Sequence, residues 1–209
     1  MPEIKLAAVG DILMIGPMIT LAKLEGRDEY DFKPIFEKVT PYFKQADFVI
    51  GNLETPIAGR ESRYTQKKRE KGPSMFNCPD ELILALRHAG FHFVTTANNH
   101  CMDRGEAGLK RTLQVLDQHG LGHTGTFADN PGKENHVIKE INGIRLGVVS
   151  YTSSTNGHPL PAGKPWAVNV VNASRPGKLQ NHVRRLKEQA DVVIACVHIG
   201  TECRLVPNA

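Results

Sequence analysis

The chain is poor in the features that mark several large functional classes. Aromatic residues make up only 6% of its 209 positions, with a single tryptophan. No apolar run reaches the roughly 18–20 residues that a membrane span needs. The four cysteines, Cys78, Cys101, Cys196 and Cys203, form no C-x-x-C pair, so neither a thiolate zinc knuckle nor a dithiol redox centre is encoded. The first strand-like run ends in Gly10-Asp11-Ile12-Leu13. That is no glycine-rich phosphate loop, which argues against a nucleotide-binding module. There is no repeat and no low-complexity tract. Met1-Pro2-Glu3-Ile4-Lys5 enters an apolar stretch without a charged n-region or a small-residue cleavage site. As written, the sequence reads as cytoplasmic, with reduced cysteines.

What remains is the composition of an ordinary globular protein, 40% hydrophobic and 23% charged. Its length suits one domain. The formal net charge of +4 is unevenly placed. Arg60, Arg63, Lys67, Lys68, Arg69 and Lys71 face only Glu61 and Glu70 within one short window, which alone carries that +4. The rest of the chain is neutral, so a protein that coats nucleic acid is not expected. Tyr64 is the only aromatic in the window, which also speaks against base stacking. The window is either a solvated loop or an electrostatic lure for an anionic small molecule or polymer.

Apolar spacing predicts alternating strands and helices. Strands are expected at Ile4–Val9, Phe48–Ile50, Phe91–Thr96 and Asp191–Val197. A helical stretch carrying Ile35, Phe36, Val39, Tyr42 and Phe43 is divided at Thr40-Pro41. Residues 55–77 read as loop. Helices follow at Pro79–Gly90 and Gly105–Gly120 and around Leu179, Val183 and Leu186. Asn142-Gly143 between two strand-like runs signals a hairpin, because both turn positions tolerate positive φ. The order implies an α/β layered fold with a mixed sheet.

Four of these strands end in polar, metal-capable residues: Asp11; Asn52 and Glu54; Asn99 and His100; His198. In an open α/β sheet the carboxyl ends of parallel strands share one edge, where ligands bind. Each residue alone fits a plainer role. Asp11 suits a turn or helix cap, Asn52 a turn, Glu54 a solvated loop charge, and His198 a hydrogen-bonded core histidine. The same placement at four strand ends favours a shared site with a mixed oxygen and nitrogen donor set, suited to Mn²⁺, Fe²⁺, Zn²⁺ or Mg²⁺. Asp103, three residues after His100, either caps the next helix or orients the imidazole.

Taken together, Gly10-Asp11, Asn52-Leu53-Glu54, Asn98-Asn99-His100-x-x-Asp103-x-Gly105 and Val197-His198-x-Gly200-x-Glu202 resemble the motif series of the bacterial CapA family. This is a capsule-synthesis or poly-γ-glutamate-synthesis domain related to the calcineurin-like metallophosphoesterases. The resemblance runs from about residue 4 to residue 204. It implies a four-layer α/β/β/α sandwich with one or two divalent ions, Mn, Zn or Fe, at the strand ends. Asp11, Asn52 or Glu54, Asn99 and His198 are the implied metal ligands. His100, oriented by Asp103, is the implied proton donor to a leaving group. Arg60, Lys67, Lys68, Arg69 and Glu202 are weaker candidates for substrate contact. The implied activity is metal-dependent hydrolysis of a phosphoester or related bond. The alternative is a non-catalytic component that binds an anionic polymer, with partners in a synthesis complex. Family members are often anchored outside the membrane, whereas this chain shows no span.

Three departures from the superfamily pattern stand out. Asp11-Ile12-Leu13 replaces Asp-x-His, Gly51-Asn52 replaces Gly-Asp, and no closing Gly-His-x-His occurs. The sequence also ends soon after His198, where the family domain continues through more strands. Residues 1–209 are therefore expected to be the N-terminal portion of one such domain, with an incomplete two-metal site.

Overall fold

A computed structural model describes residues 2–67, 72–132, 135–172, 174–201 and 204. Lys68, Arg69, Glu202 and Cys203 lie outside the described residues. Two sheets dominate. The first is built from β1 (Leu6–Ile12), β2 (Phe48–Leu53), β5 (Phe93–Thr95) and β6 (Gly122–Thr124), in that spatial order and all parallel. The second holds β7 (Val137–Ile141), β8 (Ile144–Thr152) and β9 (Val192–His198), with β7–β8 antiparallel and β8–β9 parallel. A short hairpin, β3 (Gln66–Lys67) with β4 (Ser74–Met75), lies within the span expected to be loop.

Side-chain alternation explains why the sheets stack. In β2, Phe48 and Ile50 point to one face and Val49 and Leu53 to the other. The first pair joins Phe93, Leu146 and Val148 in a buried cluster between the sheets, packed by Ile194 and Cys196. The second pair faces the larger core of helices α1 (Gly16–Ala22), α2 (Lys33–Phe36), α3 (Thr40–Phe43), α4 (Glu81–Ala89) and α5 (Gly105–Gln118). On the outer face of the second sheet, Val149 and Tyr151 pack against Leu186 of α6 (Gly177–Leu186). The layers are therefore helix, sheet, sheet, helix, and β2, buried almost throughout, is the central strand.

Local chemistry sets the boundaries. Gly90 ends α4 at φ +105, a left-handed value that glycine adopts without strain. Asn142 and Gly143 take φ of +52 and +76 at the β7–β8 turn, as the dipeptide predicts. Thr40-Pro41 divides α2 from α3 as expected. Helix α1 and the three-residue β6 were not anticipated. Among the described residues no helix is long and apolar enough to cross a membrane. Cys78, Cys101 and Cys196 are free thiols, and burial pushes Cys101 up to about 12.

The sequence expectation placed the four site-bearing strands on one open sheet. The structure divides them. β1, β2 and β5 share the first sheet, while β9 belongs to the second. An apolar run like Val192–Val197 fits the inner face of either sheet, so its pattern does not tell the two apart.

The outer contact between β8 and α6 is close enough to test. A Cβ on Gly147 would stand 2.8 Å from Leu186 Cγ and 3.0 Å from Ala190 Cβ. Gly147→Val is expected to lower stability by about 1–3 kcal/mol through overpacking, read as a lower urea midpoint. Under the same sheet, His182 lies 3.0 Å from both His136 Nδ1 and the Tyr151 hydroxyl. Burial first, then His136, Arg185 and Lys178, hold it down at about 4, from an ordinary 6.5. Between those values the unfolded chain binds a proton that the folded chain refuses, so stability falls as pH drops from 6.5 to 4. Urea midpoints across this window should show that fall, and it should be smaller in His182→Asn.

Candidate metal centre

The site gathers where the carboxyl ends of both sheets meet. Asp11 sits near the end of β1 and Glu54 just beyond β2, both from the first sheet, while His198 ends β9 of the second. Asp11, Glu54 and His198 each offer one ligand atom, all within 4.8 Å of one another. His198 Nδ1 is 3.6 Å from Asp11 Oδ1, and its Nε2 is 3.7 Å from Glu54 Oε1. Glu54 is buried, His198 is half-buried and Asp11 is exposed. Two carboxylates and one imidazole form a hard-to-borderline donor set that fits a divalent cation. The fit is sharpened by burial, since an interior carboxylate calls for a compensating positive charge.

Asn52 lies between Asp11 and His198. Its orientation is fixed by Asn98. The Asn98 Oδ1 accepts the His100 backbone N–H at 3.1 Å, so its Nδ2 donates to the Leu53 carbonyl at 2.9 Å and to Asn52 Oδ1 at 3.1 Å. Thr95 Oγ1 donates to the same Asn52 oxygen at 3.3 Å. Asn52 therefore turns its Nδ2 outward, donating to Asp11 Oδ1 at 2.7 Å and standing 3.3 Å from His198 Nδ1. In this orientation the amide bridges Asp11 and His198. The second carboxylate of the group comes from Glu54.

His100 lies beside this group, with Nε2 3.9 Å from Glu54 Oε1. Its Nδ1 donates to Asp103 Oδ2 at 2.8 Å, and the same oxygen accepts the Phe76 backbone N–H at 2.6 Å. The Asp103 carboxylate is therefore directed at the imidazole and is not the cap of α5, which has no side-chain cap. With Nδ1–H committed to Asp103, Nε2 faces the site. The Phe76 ring meets the imidazole edge to face, with centroids 4.7 Å apart.

A cavity of about 920 Å³ opens over the site, lined by Asp11, Glu54, Asn99, His100 and His198 together with Asn156. Asn99 Nδ2 donates to Asn156 Oδ1 at 3.4 Å. Of the loop cations, Arg60 is held away by Glu81 at 2.7 Å and Asp28 at 3.4 Å, and it does not line this cavity. Lys67 lines a neighbouring cavity. Sequence reasoning gave no role to Asn98, Phe76, Asn156 or His158, whose Nε2 is 3.7 Å from Asp103 Oδ1. Asn98 was within reach, since it opens the Asn98-Asn99-His100 motif. Phe76 was not, because its contribution is a backbone N–H.

Two stacked sheets flanked by helices, with a carboxylate and imidazole cluster at their shared end, define a layered α/β/β/α protein. The chain belongs to the family described as bacterial capsule synthesis protein PGA_cap, whose model matches residues 5–209. It is 26% identical over 205 residues to the capsule biosynthesis protein CapA of Bacillus anthracis, covering 96% of this chain and 47% of that one. It is 27% identical over 202 residues to the PGA biosynthesis protein CapA of Bacillus subtilis, covering 96% and 50%. The chain thus spans about half the length of these curated relatives. In fold it is similar to the NAD nucleotidase of Haemophilus influenzae, with a TM-score of 0.54 at 17% identity, covering 95% of this chain and 39% of that one.

The ligand group yields a direct test. Titration of the apo protein with Mn²⁺ or Zn²⁺, followed by calorimetry, should show binding that Glu54→Gln weakens by about 10–100-fold. His198→Ala should weaken it comparably. Unchanged affinity in both variants would remove the assignment.

Proposed function

We propose that this protein is a divalent-metal-dependent hydrolase of a phosphoester or related bond in the synthesis of an anionic capsule polymer such as poly-γ-glutamate. The observation that carries the reading is the Asp103–His100 pair set 3.9 Å from the carboxylate of Glu54. Asp11, Glu54 and His198 would hold the cation, of which Mn, Zn and Fe are the candidates. When bound, such an ion supplies charge neutralisation of an anionic transition state and a more acidic water.

The chain's own residues do the rest. Asn52, braced from behind by Asn98 and Thr95, holds Asp11 and His198 in register. Asp103 accepts Nδ1–H and fixes the imidazole plane, so His100 Nε2–H is directed at the site. From there it protonates the leaving oxygen, and the neutral imidazole keeps its Nδ1–H on Asp103. Phe76 covers one edge of the ring and limits the water that reaches it. The relatives are named for capsule and PGA biosynthesis, which supports a polyanionic substrate. Residues 1–209 then act as one unit of that machinery. The second reading, polymer binding without catalysis, is favoured by the outward NH₂ of Asn52 at a ligand position.

With Mn²⁺ or Zn²⁺ supplied, a chromogenic phosphodiester should be cleaved. His100→Ala should lower kcat by roughly 10²–10⁴, the usual contribution of a positioned general acid. Metal-free protein as active as metal-loaded protein would overturn the hydrolase reading.

A further inference from the structure

Beside the candidate metal centre lies a second cavity, of about 620 Å³, between α1 and the basic loop. Its described lining carries charge of one sign. Lys23, Arg63 and Lys67 line it, and among the described residues no carboxylate does. Among the described residues none of the three has an ion-pair partner. The loop's arrangement explains this. Arg104 grips Glu61 in a two-pronged pair, Nε to Oε1 at 2.8 Å and Nη2 to Oε2 at 3.1 Å, so the acid nearest Arg63 is already neutralised. Arg60 is likewise spent on Glu81 and Asp28.

The three cations are placed by structure. Lys23 follows α1 and pairs its backbone with Tyr30. Lys67 stands in β3 opposite Ser74. Arg63 precedes Tyr64, whose carbonyl accepts Arg104 Nη2 at 2.9 Å. The buried Oγ1 of Thr65, on the cavity wall, has no hydrogen-bond partner among the described residues. Buried hydroxyls are normally satisfied, so a ligand oxygen would complete it. Ser74 and Phe76 line both this cavity and the one over the metal centre, and the two spaces share that wall.

We propose that this cavity is an anion-binding subsite, in which Lys23, Arg63, Lys67 and the Thr65 hydroxyl seat one acidic group of an extended polyanion whose neighbouring unit reaches Asp11, Glu54 and His198. The second half of that statement rests on the reading in the preceding subsection; the anion subsite itself does not. The substrate class this selects is a chain carrying anionic groups at intervals. A small monoester could fill only one of the two spaces.

The test is binding of two probes, synthetic γ-linked hexaglutamate and tripolyphosphate, to the whole protein by calorimetry at several salt concentrations. Lys23→Glu/Arg63→Glu should weaken binding at least tenfold and flatten its salt dependence, because charge contacts between exposed groups are screened over about 8 Å at physiological ionic strength. Lys44→Glu/Lys187→Glu makes the same change in net charge at exposed residues outside the cavity and should leave affinity within about twofold. The probe with the larger loss identifies carboxylate or phosphate as the group seated. Equal losses in the two double variants, or no binding of either probe to the wild type, would overturn the subsite. Cleavage of the chromogenic phosphodiester, measured on the wild-type sample, reports separately on the metal centre. Absent cleavage with specific probe binding removes the hydrolase reading and leaves the subsite standing. Metal-dependent cleavage with unspecific probe binding does the reverse.

Discussion

The stacking of two sheets through Phe48, Ile50, Phe93, Leu146 and Val148 is the contact on which the site depends. Burial of a large apolar side chain contributes about 1.5–3 kcal/mol, and these five are shared between sheets that make no common ladder. Without that contact His198 has no fixed relation to Asp11 and Glu54. The candidate metal centre is therefore a product of the interface and not of either sheet. This also accounts for its composition. The first sheet supplies the carboxylates and the braced amide, and the second supplies the imidazole.

Around that junction polarity is handled in two tiers. Asn98 spends both ends of its amide on backbone and on Asn52, which leaves Asn52 one free direction, toward the ligand group. Asp103 similarly spends one oxygen on Phe76 and His100 together. Each group that faces the cavity is thus held by one that does not. Such fixing matters because a side chain that must reorganise to meet charge does less for it than one already aligned.

Much of this was legible because strand ends are punctuated. Apolar runs stopping at Asp11, Asn52, His100 and His198 mark both the strands and what they carry. The hairpin at Asn142-Gly143 and the break at Thr40-Pro41 were legible for the same reason, since turn chemistry is local. What was not legible is what distance in sequence hides. The sheet that β9 joins depends on β8, whose outer glycine admits α6. The direction of the Asn52 amide depends on Asn98. Arg60, one of six loop cations in a row of similar residues, differs from Arg63 only because Glu81 and Asp28 reach it. Helix α1 opens with Gly16-Pro17 and buries only Ile19 and Ala22, so its apolar period is faint.

The short stretch from His100 to Arg104 grips the chain on either side of residues 68–71. Arg104 clamps Glu61 and the Tyr64 carbonyl on one side, and Asp103 accepts the Phe76 N–H on the other. Glu61, Tyr64, Phe76 and the imidazole are consequently held by one stretch of five residues. A displacement of Glu61 or Phe76 would bear on the same stretch that carries His100, which ties the proposed anion subsite to the proposed proton donor.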